Sequence, residues 1–226
     1  MKVLKKAAVG LSIVGLTLSL GACSQDDSSQ DDSSNGKGKT TTMAEILNDK
    51  QERKIVMTHD TNTYDSPDIE WAGTIGNGKM EIHPYKNLDK FEFNDIKNEN
   101  MKDYKEILKE KDKEYSEKKG KTLNIKPEKA TLYYKASNIE KPGSLIFDYN
   151  AQAYSKEEKF SMINRGFSVI VKDNPKNWLG IRTKDTSKKG WTQDYVYVEA
   201  KNNETSLKKD DLKSAMKKYN NVERIK

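Results

Sequence analysis

Ile69-Glu70-Trp71-Ala72-Gly73-Thr74-Ile75-Gly76-Asn77-Gly78-Lys79-Met80-Glu81-Ile82-His83-Pro84-Tyr85 is the stretch on which the fold turns. Two strand-like runs, Ile69 to Ile75 and Lys79 to Tyr85, flank Gly76-Asn77-Gly78. Asn-Gly between such runs is a strong short-range hairpin signal, because a tight two-residue turn needs positive φ at both central positions. The glycine spacing does not suit a nucleotide loop, and no Gly-Lys-Ser/Thr follows. The centre of the chain is therefore read as antiparallel.

C-terminal to the hairpin the pattern becomes helical. Phe91-Glu92-Phe93 reads as a short strand. From Ile96 to Lys119, Met101, Tyr104, Ile107, Leu108 and Tyr115 form one apolar stripe at helical spacing, with Lys and Glu on the other faces. Asn94 or Asn98 suits its start and Gly120 its end. The two tyrosines are expected to face the core. Beyond Leu123 the period falls to two. Residues 122–125, 130–135, 145–149, 166–172, 179–183 and 194–199 read as strands, with short links that favour antiparallel neighbours. Ser155 to Ile163 reads as a short helix. Leu207 to Tyr219 reads as a terminal helix capped by Ser206, with Leu212, Ala215, Met216 and Tyr219 on its buried side.

N-terminal to the hairpin, Thr42-Met43-Ala44-Glu45 has the form of a capping box opening a short helix. Lys54 to Thr58 reads as a strand. Helices at both ends and in the middle, with strands in runs, predict an α+β fold: an antiparallel sheet with helices packed on one face. Residues 43–226 are assigned to this single domain, with a division near Gly120 left open.

The first 42 residues differ in kind. Lys2, Lys5 and Lys6 precede a short apolar run ending at Leu20, which has the three-part form of a secretory signal and is too short to span a bilayer comfortably. Leu20-Gly21-Ala22-Cys23 resembles the lipobox of bacterial lipoproteins. That resemblance covers residues 1–23. It implies that residues 1–22 are a signal peptide, that Cys23 receives a diacylglyceryl group, and that Cys23 becomes the mature N-terminus on the extracytoplasmic face of the cell membrane. Two acyl chains suffice for stable attachment where one is marginal. Cys23 is the only cysteine in the chain, so an acylated Cys23 leaves no thiol for a disulfide, a metal or catalysis. Residues 23–42 read as a tether, because Gln25-Asp26-Asp27-Ser28-Ser29 is repeated at once and nothing apolar is available to bury. Signal, Ser/Asp tether and Lys/Asn-rich domain together resemble small lipoproteins of low-GC Gram-positive bacteria.

The chemistry on offer is sparse. The full chain carries a formal charge of +6, and setting aside the five lysines and four aspartates of residues 1–42 leaves +5 on the domain. That is mildly basic and gives no case for nucleic acid. His59 and His83 lack the spacing of a zinc site, and no Gly-x-Ser-x-Gly holds a nucleophile. Asp60 to Asp65 lacks the glycine and the twelfth-position Glu of a calcium loop. No cofactor or metal is expected. Two features are candidates for binding. Lys209, Lys213 and Lys217 lie four apart on the terminal helix, where like charges repel unless an anion favours them. Trp178 and Trp191 lie near turns, where an indole suits stacking on a ligand or a partner. These features favour a non-enzymatic, membrane-tethered module that binds an envelope protein, a peptide or an anionic wall polymer. The alternative is a cell-wall-modifying hydrolase that uses carboxylates.

Overall fold

A computed structural model describes residues 38–59, 66–120, 122–135, 144–150, 159–161, 169–170, 174–183 and 194–225. Cys23, Asp60 to Asp65 and Trp191 lie outside the described residues. The elements in order are β1 (Lys39–Thr41), α1 (Met43–Leu47), β2 (Arg53–His59), β3 (Asp68–Gly76), β4 (Lys79–Pro84), α2 (Met101–Lys119), β5 (Glu128–Lys129), β6 (Thr131–Lys135), β7 (Ser144–Asn150), β8 (Lys159–Ser161), β9 (Val169–Ile170), β10 (Trp178–Thr183), β11 (Asp194–Glu199), β12 (Glu204–Leu207), α3 (Leu212–Lys218) and β13 (Val222–Ile225).

The hairpin forms as read. Asn77 and Gly78 have φ of 53° and 69°, the two positive values of a type I′ turn. The turn also closes α1: the Gly78 N–H donates to the Leu47 carbonyl at 2.7 Å, and the Asn77 N–H to Asp49 at 2.7 Å. The other end of α1 carries the expected capping box, Thr42 accepting from the Glu45 N–H and Glu45 accepting from the Thr42 N–H.

β3 and β4 belong to a seven-stranded sheet in the order β5-β4-β3-β2-β11-β10-β9, antiparallel throughout. The α+β class with an antiparallel sheet therefore stands. A four-stranded sheet, β13-β6-β7-β8, adds one parallel pair, and β1 runs parallel to β12.

The helices divide between the two faces of the large sheet instead of sharing one. Strand parity shows it. Ile55, Trp71, Ile82, Val196 and Val198 join a core with Ile46 and Leu47 of α1, Leu212 and Ala215 of α3, and Leu132 and Val222 of the smaller sheet. Their neighbours Val56, Ala72 and Tyr197 join a second core with Tyr104, Leu108 and Tyr115 of α2 and with Tyr85, Phe91 and Ile96. Alternate residues of a strand face opposite ways, so a sheet with both parities buried must be covered twice.

Tyr104 locks α2 to the sheet. Its hydroxyl accepts from the Gly73 N–H at 2.9 Å and lies 2.8 Å from the Gly73 carbonyl and 3.2 Å from that of Ile55. The sheet is tight here. A Cβ on Gly73 would stand 1.7 Å from the Glu81 carbonyl oxygen of β4, so only glycine fits.

Several boundaries differ from the sequence reading. α2 begins at Met101, because Asn100 and not Asn94 or Asn98 caps it, accepting from Lys102 and Asp103. Gly120 closes it at φ 63° as expected. Phe93–Asp95 is a 3₁₀ turn, residues 122–125 form no strand, and Lys159–Ser161 is strand where a helix was expected. Lys39–Thr41, assigned to the tether, is part of the folded unit because it pairs with β12. That pairing also takes Leu207 out of the terminal helix, which starts at Leu212 with Asp211 as its cap.

Candidate functional site

Two clefts carry the polar chemistry of the described residues. The first, of about 470 Å³, opens beside β3 and β4, with Glu52, Thr74, Glu81, Lys50 and Lys79 on its wall. Thr74 and Glu81 are register partners across the hairpin. The Thr74 hydroxyl donates to Glu52 at 2.8 Å, and Lys105 of α2 pairs with Glu52 at 2.6 Å. Behind Glu81 lies His83. Its Nε2 is 3.2 Å from Glu81 and its Nδ1 2.9 Å from Asp112 of α2. The Tyr85 hydroxyl is 2.9 Å from both Asp112 Oδ1 and the Leu108 carbonyl.

Burial alone would lower the His83 imidazole below its ordinary value. Hydrogen bonds to Asp112 and Glu81 outweigh it, so the imidazole is held above that value. Glu81 is lowered in turn, first by its hydrogen bond to His83. The two shifts agree in sign: hydrogen bonding to the two carboxyl groups favours the protonated imidazole. Both ring nitrogens are committed, which leaves His83 neither a free base nor a metal ligand. Glu81, His83 and Tyr85 alternate along one strand face, a pattern present in the sequence. Asp112, the partner of His83 Nδ1, lies 29 residues away and carries no local signal.

The second cleft, of about 290 Å³, lies between the start of α1 and the C-terminal segment, lined by Glu45, Lys208, Lys209, Asp210 and Lys218 among others. Asp210, expected in the first turn of a helix, is turned inward instead. It is 9% exposed. It accepts from the Tyr134 hydroxyl and from the Ala44 N–H at 3.3 Å. Burial raises the carboxyl above its ordinary value against these hydrogen bonds and that of Thr42. Burial, reinforced by Asp210, likewise raises the Tyr134 hydroxyl.

Lys208, Lys209 and Lys218 in the lining of this cleft, and Lys213 and Lys217 of α3, are all exposed. Among the described residues none of the five forms an ion pair with a carboxylate. Lys218 instead lies over the Tyr219 ring at 5.0 Å. The expected stripe is thus only partly helical. Lys213 and Lys217 lie one turn apart on α3, while Lys209 is in the segment that precedes it, since β12 occupies the residues where a longer helix would begin. Met216, assigned to the buried side, is the one large apolar side chain exposed among the described residues, at 40%.

Trp178 does not serve as a surface contact. It is 3% exposed, packs edge-on to Phe93 at 5.1 Å, and donates to the Lys97 carbonyl at 3.0 Å. Lys54, itself buried and paired with Glu199 at 3.0 Å, lies 5.5 Å from the indole. The turn beside Trp178 is real, but the first strand residue after it points into the second core. His59 pairs with Asp194 of the neighbouring strand at 2.5 Å.

No family model, curated protein or solved structure matches the chain.

Proposed function

We propose that this chain is a lipoprotein anchored through Cys23 to the extracytoplasmic face of the membrane, and that its folded domain is a non-enzymatic binding module for an anionic ligand of the cell envelope. The lipobox-like Leu20-Gly21-Ala22-Cys23 supports the anchor. The observation that carries the binding role is the group of five exposed lysines, Lys208, Lys209, Lys213, Lys217 and Lys218, set against two aspartates in the same segment, one of them buried. A polyanion lowers the repulsion among them, and each lysine close to an anionic surface contributes about 1 kcal/mol.

A hydrolase working through carboxylates draws on Glu52 and Glu81 in the larger cleft. Acid and base roles require two carboxyls whose environments push them apart. Here the carboxyl raised by burial, Asp210, lines one cleft, and the one lowered by His83, Glu81, lines the other. The pair does not share a site, and that favours binding.

The test compares the detergent-solubilised full chain with a variant in which all five lysines are glutamine, on beads bearing a glycerol-phosphate polymer or anionic phospholipid. Retention that weakens as salt rises, and is lost in the variant, supports the reading. Equal retention of both proteins refutes it.

A further inference from the structure

The lysine surface lies where the chain arrives from the anchor. β1 is the first described strand after Cys23. It runs parallel to β12, with Lys39 opposite Glu204 and Thr41 opposite Leu207. The Lys39 N–H donates to Asn203, and the Lys208 N–H donates back to Thr41 at 2.8 Å. The residue that follows β12 is therefore stitched to the end of the strand that leads in from the membrane. Only fifteen residues separate Cys23 from Lys39. Even fully extended, a link of that length reaches no more than about 54 Å. Such a short link holds the surface at an effective concentration on the order of millimolar against the bilayer.

The make-up of the surface says which anion it fits. Lys213, Met216 and Lys217 stand at i, i+3 and i+4 on α3, a spacing that places them side by side. Lys39 at the start of β1 is also exposed. A soluble polyphosphate has no use for the exposed Met216. A bilayer interface does, because it presents headgroup phosphates to the ammonium groups and an acyl boundary to an apolar side chain beside them. A polybasic patch beside a lipid chain is also a known form of two-signal attachment.

We infer that Lys213 and Lys217, with Met216 beside them on one side of α3 and with Lys208, Lys209 and Lys218 adding positive charge nearby, dock the domain on the anionic headgroups of the membrane that holds its own anchor. The docking fixes which side of the domain faces the cell and which faces outward. This inference rests on the lipid anchor and on the lysine surface proposed above, and it names the source of the anion.

The test uses the acylated full chain in vesicles, with Met216→Cys carrying a spin label. The acyl thioether consumes Cys23, so position 216 holds the only free thiol. Collision of the label with lipid-soluble oxygen and with a water-soluble nickel chelate reports its depth. In phosphatidylglycerol vesicles at about 0.1 M salt the label is shielded from nickel and exposed to oxygen. At about 1 M salt, where the screening length falls from ~10 to ~3 Å, it returns to water. It stays in water in neutral phosphatidylcholine vesicles and in the five-lysine variant, whose folding is checked by near-ultraviolet dichroism. A label at Lys102, on α2, reports water throughout. A label at 216 that stays in water on anionic vesicles overturns the inference. If the same protein still binds the glycerol-phosphate polymer, the binding role stands and the ligand is a wall polymer. A chain that takes up no lipid at Cys23 fails at the preceding step and refutes the anchor instead.

Discussion

His83 is a base held between two acids, and its charge has a direction in pH. Its protonated form belongs to the folded state. The stability it contributes is complete below its ordinary value of 6.5 and is lost as pH rises through the higher folded value. Glu81 contributes above its ordinary 4.5 and loses that contribution as pH falls through its lowered value. Both are in full between those two values. The melting temperature is therefore expected to fall as pH rises above about 6.5 and through the raised folded value of His83. His83→Gln flattens that slope and lowers stability at the acid end, where the hydrogen bonds of the protonated ring to Asp112 and Glu81 are lost, measured by thermal unfolding across pH. Asp210 behaves oppositely to an exposed acid: buried and raised, it is valued as an acceptor more than as a charge. Asp210→Ala leaves the Tyr134 hydroxyl and the Ala44 N–H without an acceptor and is expected to cost about 2–4 kcal/mol in urea unfolding. Asp210→Asn keeps an oxygen for them and costs less. At this scale the sequence was legible where a residue's partner is local. Thr42 and Glu45 announced their capping box, and Asn77-Gly78 its turn. His83, Asp210 and Trp178 take their roles from Asp112, Tyr134 and Phe93, between 29 and 85 residues away, and no spacing rule reaches that far.

Among the elements, β1 carries a stronger consequence than its three residues suggest. In sequence Lys39-Thr40-Thr41 reads as tether, because it has nothing apolar to bury. Its backbone is nonetheless paired with β12, Thr41 is buried, and Thr42 follows directly as the cap of α1. Removing residues 1–38 is expected to leave the melting temperature of the domain unchanged. Removing residues 1–42 unpairs β12 and strips the cap, at a cost of about 1–3 kcal/mol. Equal stability of the two truncations would place β1 outside the folded unit. The same pairing explains why the terminal helix is short. Leu207 and the acids after it had the periodicity of a helix start, but a strand partner from the other end of the chain claimed Leu207, and tertiary pairing overrides so weak a propensity. α2 shows the opposite case. Its stripe of Tyr104, Leu108 and Tyr115 is strong enough to be read alone, and all three are buried. Only its start, fixed by which asparagine faces the first turn, escaped the reading.

For the whole molecule, an antiparallel sheet buried on both sides places the stability of the domain in packing, and a chain with one cysteine can form no disulfide within itself. The sequence predicted the class and the antiparallel order. It did not predict that the helices would part to opposite faces, because the parity of each strand was visible but not what would cover it. The account of function hangs on Cys23, and the most direct measurement is metabolic labelling of cells with an alkyne fatty acid, followed by membrane fractionation of the wild-type chain and of Cys23→Ala. The account predicts that the wild-type chain takes up the label and sediments with the membrane, while Cys23→Ala takes up none and is released. Label-free wild-type protein in the soluble fraction would contradict it.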